Sequence, residues 1–85
     1  MPMKALAICD SGNYAIKLCS ILERQIDCEV VATPCKLARE GCSYCLKFNY
    51  EDYNYVKKVA AENGIRLRAA YKIEQQLLKN NYLML

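Results

Sequence analysis

Short apolar runs alternate along the chain with stretches in which apolar positions recur every three or four residues. Two such helical stretches follow the first and third apolar runs, at about 11–26 and 49–63. The resulting order, βαββαβ, predicts an α+β fold of the ferredoxin-like type: a four-stranded antiparallel sheet with both helices on one face. The predicted strands are residues 3–9, 28–32, 42–48 and 65–73.

The junctions between these elements carry recognisable helix signals. Thr33-Pro34 fits a helix cap followed by proline, so a short helical segment is predicted for 35–40, ending at Gly41. Asn49, with Asp52 three positions later, resembles a capping box at the start of the second long helix. Asn63-Gly64 is expected to end that helix.

The last twelve residues do not continue the alternation of elements. A single domain is therefore assigned to 1–73 and a tail to 74–85, in which Leu78, Tyr82 and Leu85 have helical spacing. Because an apolar tail needs a surface to pack on, we expect it to cover the open sheet face or to contact another subunit, which favours a homo-oligomer.

Composition narrows the function classes. The 85 residues suit one domain, the net charge is +3, and the sequence has no long Lys/Arg run, which argues against nucleic-acid binding. The apolar run at Ala5–Cys9 is too short to cross a membrane and lacks signal-peptide architecture, so a cytoplasmic location is expected. The complete lack of histidine excludes Cys–His nucleophile pairs and mixed Cys/His zinc sites.

Six cysteines are the distinctive chemical feature of this chain. We expect three of them, Cys9, Cys19 and Cys28, to be small buried core residues. The first and third strands are expected to run parallel, which would place Cys9 far from the others. The remaining cysteines, Cys35, Cys42 and Cys45, gather around one connection and predict a thiol carrier or relay site.

The three cysteines have different expected roles because they occupy different positions in the connection. Cys35 falls in the first turn of the predicted short helix, where backbone N–H groups favour a thiolate. Cys42–Cys45 is a poor disulfide because residues three apart on a strand point to opposite faces, so Cys35–Cys42 is the better reversible pair. A structural zinc site needs four ligands and only three gather here, so no metal or other cofactor is expected.

Several of these motifs together resemble the Se/S carrier protein-like family, over much of 4–73. The motifs are CDSGNYAIKLCSILE after the first strand, VVATPCKLA, GCSYCLKF and the closing strand IRLRAAYKI. The resemblance implies a protein that holds sulfur or selenium on a cysteine, and the family's motif cysteine matches Cys42. It further implies a donor protein such as a cysteine desulfurase and an acceptor protein, and a carrier more than a turnover enzyme.

Persulfide chemistry then assigns roles to two residues. Cys42 is the candidate carrier, and Cys35, which the family pattern does not include, is the candidate resolving thiol that releases the sulfur. Ser43 stands where the family often has glycine. The alternative hypothesis is a non-catalytic binding, regulatory or oligomerisation module in which the cysteines are structural.

Overall fold

The described residues form two helices and five strands. The structure is a computed structural model that describes residues 3–37, 44–77 and 79–85, and for Gln76 the backbone alone. Its elements in chain order are β1 (Lys4–Cys9), α1 (Gly12–Leu22), β2 (Cys28–Ala32), β3 (Tyr44–Asn49), a 3-10 turn (Tyr50–Asp52), α2 (Tyr53–Glu62), β4 (Leu67–Gln76) and β5 (Lys79–Met84). None of the described helices is long and apolar enough to cross a membrane.

The strands form one antiparallel sheet in the order β2-β3-β1-β4-β5. The predicted α+β class is confirmed, but the sheet has five strands, where the sequence predicted the four of a ferredoxin-like sheet. β1 and β3 are antiparallel neighbours, with Ala7 opposite Leu46. The expected parallel arrangement is therefore wrong. Cys9, at the C-terminal end of β1, lies at the same end of the sheet as the start of β3.

One face of the sheet packs against both helices. Alternate residues of β1 and β3 point to this face, as the period-two pattern requires. α1 contributes Ala15, Leu18 and Leu22, which lie on one side of the helix. The buried residues of this core are Ala5, Ala7, Cys9, Ala15, Leu18, Leu22, Leu46, Phe48, Val56, Val59, Ala60 and Ile65.

The opposite face carries a second, smaller apolar cluster. Leu6, Ile8 and Cys45 are its buried members. The half-buried side chains packed against them come from β2, β4, β5 and the segment after β2: Val31, Leu37, Tyr71, Ile73 and Tyr82. This face is therefore partly covered, although no described helix packs on it.

Helix ends differ from the predictions for local reasons. α1 ends at Leu22, and the N–H of Ile26 closes a turn on the Leu22 carbonyl, so the helix is shorter than predicted. The predicted capping box does not form, because the Asn49 Oδ1 accepts a hydrogen bond from Lys4 Nζ at 2.7 Å, and a 3-10 turn precedes α2. Gly64 follows α2 with φ of 68°, as expected of a helix-ending glycine.

The tail is a strand and not a helix. β4 continues to Gln76, three residues beyond its predicted end, and β5 pairs back onto it with Ile73 opposite Tyr82. Backbone pairing with the unpaired edge of β4 satisfies the peptide groups of both segments, which outweighs a weak helical spacing interrupted by Asn80-Asn81. The tail thus extends the sheet, and Tyr82 joins the second cluster.

Candidate functional site: the connection between β2 and β3

The three motif cysteines belong to the connection that joins two neighbouring antiparallel strands. Ala32 at the end of β2 lies opposite Tyr44 at the start of β3. Both ends of the connection are therefore fixed at the same end of these two strands. The structure describes 33–37 of this connection. Residues 38–43, and with them the predicted site residue Cys42 and the predicted Cys35–Cys42 pair, lie outside the described residues.

Cys35 is an exposed free thiol. It lies in a single turn closed by a hydrogen bond from the Leu37 N–H to the Pro34 carbonyl at 2.9 Å. The turn begins where the Thr33-Pro34 signal predicts it, and the helical continuation predicted over 38–40 lies outside the described part. An exposed thiol in a short turn is accessible to a second protein or to a small reagent.

Leu37 turns the connection towards the face opposite the helices. Its half-buried side chain packs against the cluster formed by Leu6, Ile8 and Cys45. A cleft of about 340 Å³ lies beside it, lined by Lys36 and Leu37 on one side and by residues 81–83 of β5 on the other. The segment that carries Cys35 is thus held against the sheet and borders an open cleft.

Cys45 is fully buried within that cluster. It is the second residue of β3, pairs in register with Val31, and faces away from the helices, as the alternation of β3 predicts. A thiol with no exposed surface cannot meet a partner protein's sulfur without local opening. This location supports a packing role for Cys45.

Thr33 is the buried polar residue at the beginning of the connection. Its Oγ1 has no hydrogen-bond partner among the residues that the structure describes. An unsatisfied buried hydroxyl costs roughly 1–3 kcal/mol. The predicted helix-capping role of Thr33 is therefore not formed within the described residues.

The beginning of α1 lies beside the beginning of β3. A Cβ built on Gly12 would stand 3.4 Å from Tyr44 Cδ2, so the Tyr44 side chain packs directly over the first residue of the helix. Tyr44 is also the described residue that follows Cys42 most closely in the chain. The N-terminal end of α1, with its partial positive charge, thus lies beside the point where the connection enters β3.

Sequence reasoning missed a second thiol site. Cys19 of α1 and Cys28 of β2 were expected to be independent core residues, but their Sγ atoms lie 3.7 Å apart and both side chains are only half-buried. Burial is the main cause that raises the pKa of Cys28 to about 12, and the hydrogen bond with Cys19 adds to it. A signal was available in the sequence. Cys19 lies near the end of the first helix and Cys28 opens the next strand, so the short connection between these elements can bring the two thiols together.

Metal binding finds no support in the described part of the chain. No group of three or more Cys, Asp, Glu or His side chains is placed there to hold an ion. Cys19, Cys28 and Cys35 are free thiols.

Comparison with known proteins identifies the family. The sequence model described as Putative Se/S carrier protein-like matches residues 4–72. The chain belongs to this family. Among curated proteins and among solved structures, no match to the chain is found.

The match defines which parts of the chain are shared with the Se/S carrier protein-like family. It covers β1 to β3, both helices and most of β4, together with the whole connection between β2 and β3. The resemblance noted from the sequence motifs is confirmed. β5 lies beyond the matched residues and is a feature of this chain outside the family match.

Proposed function

We propose that this protein carries sulfur or selenium on Cys42, as a persulfide or a selenopersulfide. The family match carries the proposal, because residues 4–72 include the Gly41-Cys42 motif and the family is described by that function. The protein acts in the cytoplasm between a donor, such as a cysteine desulfurase, and an acceptor protein. It carries a covalently bound atom and acts as a carrier more than as a turnover enzyme.

The described ends of the connection support such a role. Leu37 before the motif and Cys45 after it pack into one cluster on the same face of the sheet. Cys35, between β2 and Leu37, remains exposed. A carrier needs a scaffold that holds the thiol-bearing segment, and the packed ends of the connection support this requirement. The exposed Cys35 is a second thiol that another protein can reach.

Loading is a transfer of sulfane sulfur between two thiolates. The Cys42 thiolate attacks the outer sulfur of the donor's persulfide, a new S–S bond forms on Cys42, and the donor cysteine leaves as a thiolate. No oxidant is consumed, because the sulfane sulfur keeps its oxidation state. No general base is required once the Cys42 thiol is ionised, which agrees with a chain that has no histidine.

Release uses a second thiol. The Cys35 thiolate attacks Sγ of Cys42, the bond from Cys42 to the outer sulfur breaks, and hydrosulfide leaves with the electron pair. The product is a Cys35–Cys42 disulfide, which an external thiol must reduce before the next cycle. With selenium on Cys42, the leaving group is hydroselenide.

Loading by a cysteine desulfurase and free cysteine, followed by intact-mass measurement, tests the proposal. We expect Cys35→Ser to gain one sulfur atom and retain it longest, the wild type to gain one and then lose it as the Cys35–Cys42 disulfide forms, and Cys42→Ser to gain none. Ser43→Ala is the matched control and keeps the loading of the wild type. The proposal is contradicted if neither the wild type nor Cys35→Ser gains sulfur, or if the sulfur maps to a cysteine other than Cys42.

A second candidate function is self-assembly through β5. β5 is an edge strand with apolar side chains at its end, and Met84 is 71% exposed and Leu83 46%. A second copy pairing antiparallel along this edge would satisfy its free backbone groups and cover these side chains. Light scattering of the wild type and of a Leu83→Glu/Met84→Glu variant tests this assembly. A dimeric wild type together with a monomeric variant supports it, and a monomeric wild type rules it out.

A further inference from the structure

Two cysteines from different elements form a close pair away from the β2–β3 connection. Cys19 lies in the last turns of α1, and Cys28 is the first residue of β2. Their Sγ atoms are 3.7 Å apart, and the Cys28 thiol also approaches the Cys19 carbonyl at 3.8 Å. A disulfide bond is roughly 2.0 Å long, so closing it requires the sulfurs to approach by less than about 2 Å.

The pair is independent of the proposed carrier site. Cys28 lies opposite Phe48 near the end of β3, whereas Val31 at the other end of β2 lies opposite Cys45. The length of β2 therefore separates the Cys19–Cys28 pair from the segment that bears Cys35. Chemistry at one site does not require a thiol of the other.

Solvent reaches the pair, because the Cys19 and Cys28 side chains are both only half-buried. A small reagent in solution can therefore meet a thiol of the pair. No third metal ligand joins the two thiols within the described ranges, so the site fits a two-thiol reaction better than metal binding.

We propose that Cys19 and Cys28 form a reversible intramolecular disulfide by exchange with a small-molecule disulfide such as oxidised glutathione. The Cys19 thiolate attacks one sulfur of the reagent, forms a mixed disulfide and displaces one small-molecule thiolate. Cys28, giving up its proton, then attacks Sγ of Cys19, and the second small-molecule thiolate leaves. Two electrons pass from the protein thiols to the reagent, which ends as two thiols carrying the two protons.

Closing this bond joins the end of α1 to the beginning of β2. The loop that it closes contains the turn at residues 23–27, whose freedom in the unfolded chain the bond restricts. The oxidised protein therefore melts at a higher temperature than the reduced protein. Because Cys28 stays protonated near neutral pH, the second step is slow there and accelerates as pH rises.

The test uses the full-length Cys35→Ser/Cys42→Ser variant, exposed to oxidised glutathione and then alkylated. Removing Cys35 is necessary because tryptic peptide 25–36 contains both Cys28 and Cys35. We expect both thiols of the pair to be lost, peptides 18–24 and 25–36 to become linked, and dithiothreitol to reverse the link. Adding Cys19→Ser or Cys28→Ser abolishes the link, and circular dichroism verifies that each variant is folded.

Two results would overturn the proposal. One is a folded background variant whose Cys19 and Cys28 both remain open to alkylation after oxidised glutathione. The other is a reaction that stops at glutathione mixed disulfides, with no link between the two peptides. Since the carrier cysteine is replaced throughout, neither result depends on whether Cys42 carries sulfur.

Discussion

Leu37 and Cys45 pack into one cluster on the sheet face opposite the helices, although seven residues separate them in the chain. They stand on either side of the proposed carrier residue, Cys42. The apolar contacts of Leu37 and Cys45 therefore hold the chain on either side of residues 38–43. We infer that the packing of this face fixes the two ends of the segment that carries the motif.

Leu37→Ala tests that inference. Truncating a half-buried leucine is expected to lower the free energy of unfolding by about 1–2 kcal/mol, less than for a fully buried leucine. It is also expected to reduce sulfur loading of Cys42, because the connection loses an anchor. Urea denaturation and desulfurase loading are the measurements.

Leu77→Ala is the matched control for this change. Leu77 is fully exposed, so the same truncation removes no packing and is expected to leave the free energy of unfolding within about 0.5 kcal/mol of the wild type. Equal effects of the two substitutions would contradict an anchoring role for Leu37.

Thr33→Val tests the buried hydroxyl at the beginning of the connection. Valine keeps the shape and removes an oxygen that has no partner among the described residues, so we expect the free energy of unfolding to rise by about 1 kcal/mol. Thr33→Ser, which keeps the hydroxyl and loses a methyl group, is expected to be less stable than the wild type. Destabilisation by valine would instead indicate that the hydroxyl has a partner within 38–43.

Most of the fold followed from periodicity in the sequence. Buried runs such as Ala5–Cys9, and helix stripes such as Ala15, Leu18 and Leu22, are strong local signals because each buries one continuous face. The strand in the tail was not predicted, because it forms by backbone pairing with β4. The spacing of apolar residues within the tail does not report that pairing. The direction of β3 relative to β1 was also wrong, since strand direction depends on the whole path of the chain.

The candidate site was less accessible to sequence reasoning. The turn at Cys35 and the orientation of Cys45 away from the helices followed from local rules, namely Thr33-Pro34 and the alternation of side chains along a strand. The contact between Cys19 and Cys28 did not, because it depends on how α1 turns into β2. Burial of the Thr33 hydroxyl likewise depends on packing across the sheet.

Gly64→Ala tests the end of α2. Gly64 has φ of 68°, and a Cβ there would meet no atom within 4 Å, so the cost arises from backbone conformation and not from a clash. We expect the free energy of unfolding to fall by roughly 1–2 kcal/mol. Gly64→Asn is the control and is expected to cost less, because asparagine adopts this conformation more readily. An alanine variant as stable as the wild type would contradict this account.

Cys19→Ala tests the electrostatics of the thiol pair through the pKa of Cys28. Burial is the largest cause of the raised pKa, followed by the hydrogen bond and charge interaction with Cys19 and by the charges of Glu23 and Asp27. Removing Cys19 leaves burial and the two carboxylates. We therefore expect the pKa of Cys28 to fall from about 12 but to remain above its ordinary value of 9.0. The pH dependence of Cys28 alkylation, followed in a background without Cys35 and Cys42, measures the change.

The same shift predicts how stability depends on pH. Between pH 9 and about 12 the Cys28 thiol ionises in the unfolded chain but stays protonated in the folded protein, so the unfolded state binds fewer protons. The contribution of Cys28 to stability is therefore fully present below pH 9 and is lost as pH rises through that interval. Cys28→Ala removes this titration. We therefore expect the unfolding free energy of the wild type to fall relative to that of the variant as pH rises from 9 to about 12. A difference that stays constant with pH would show that Cys28 ionises equally in both states.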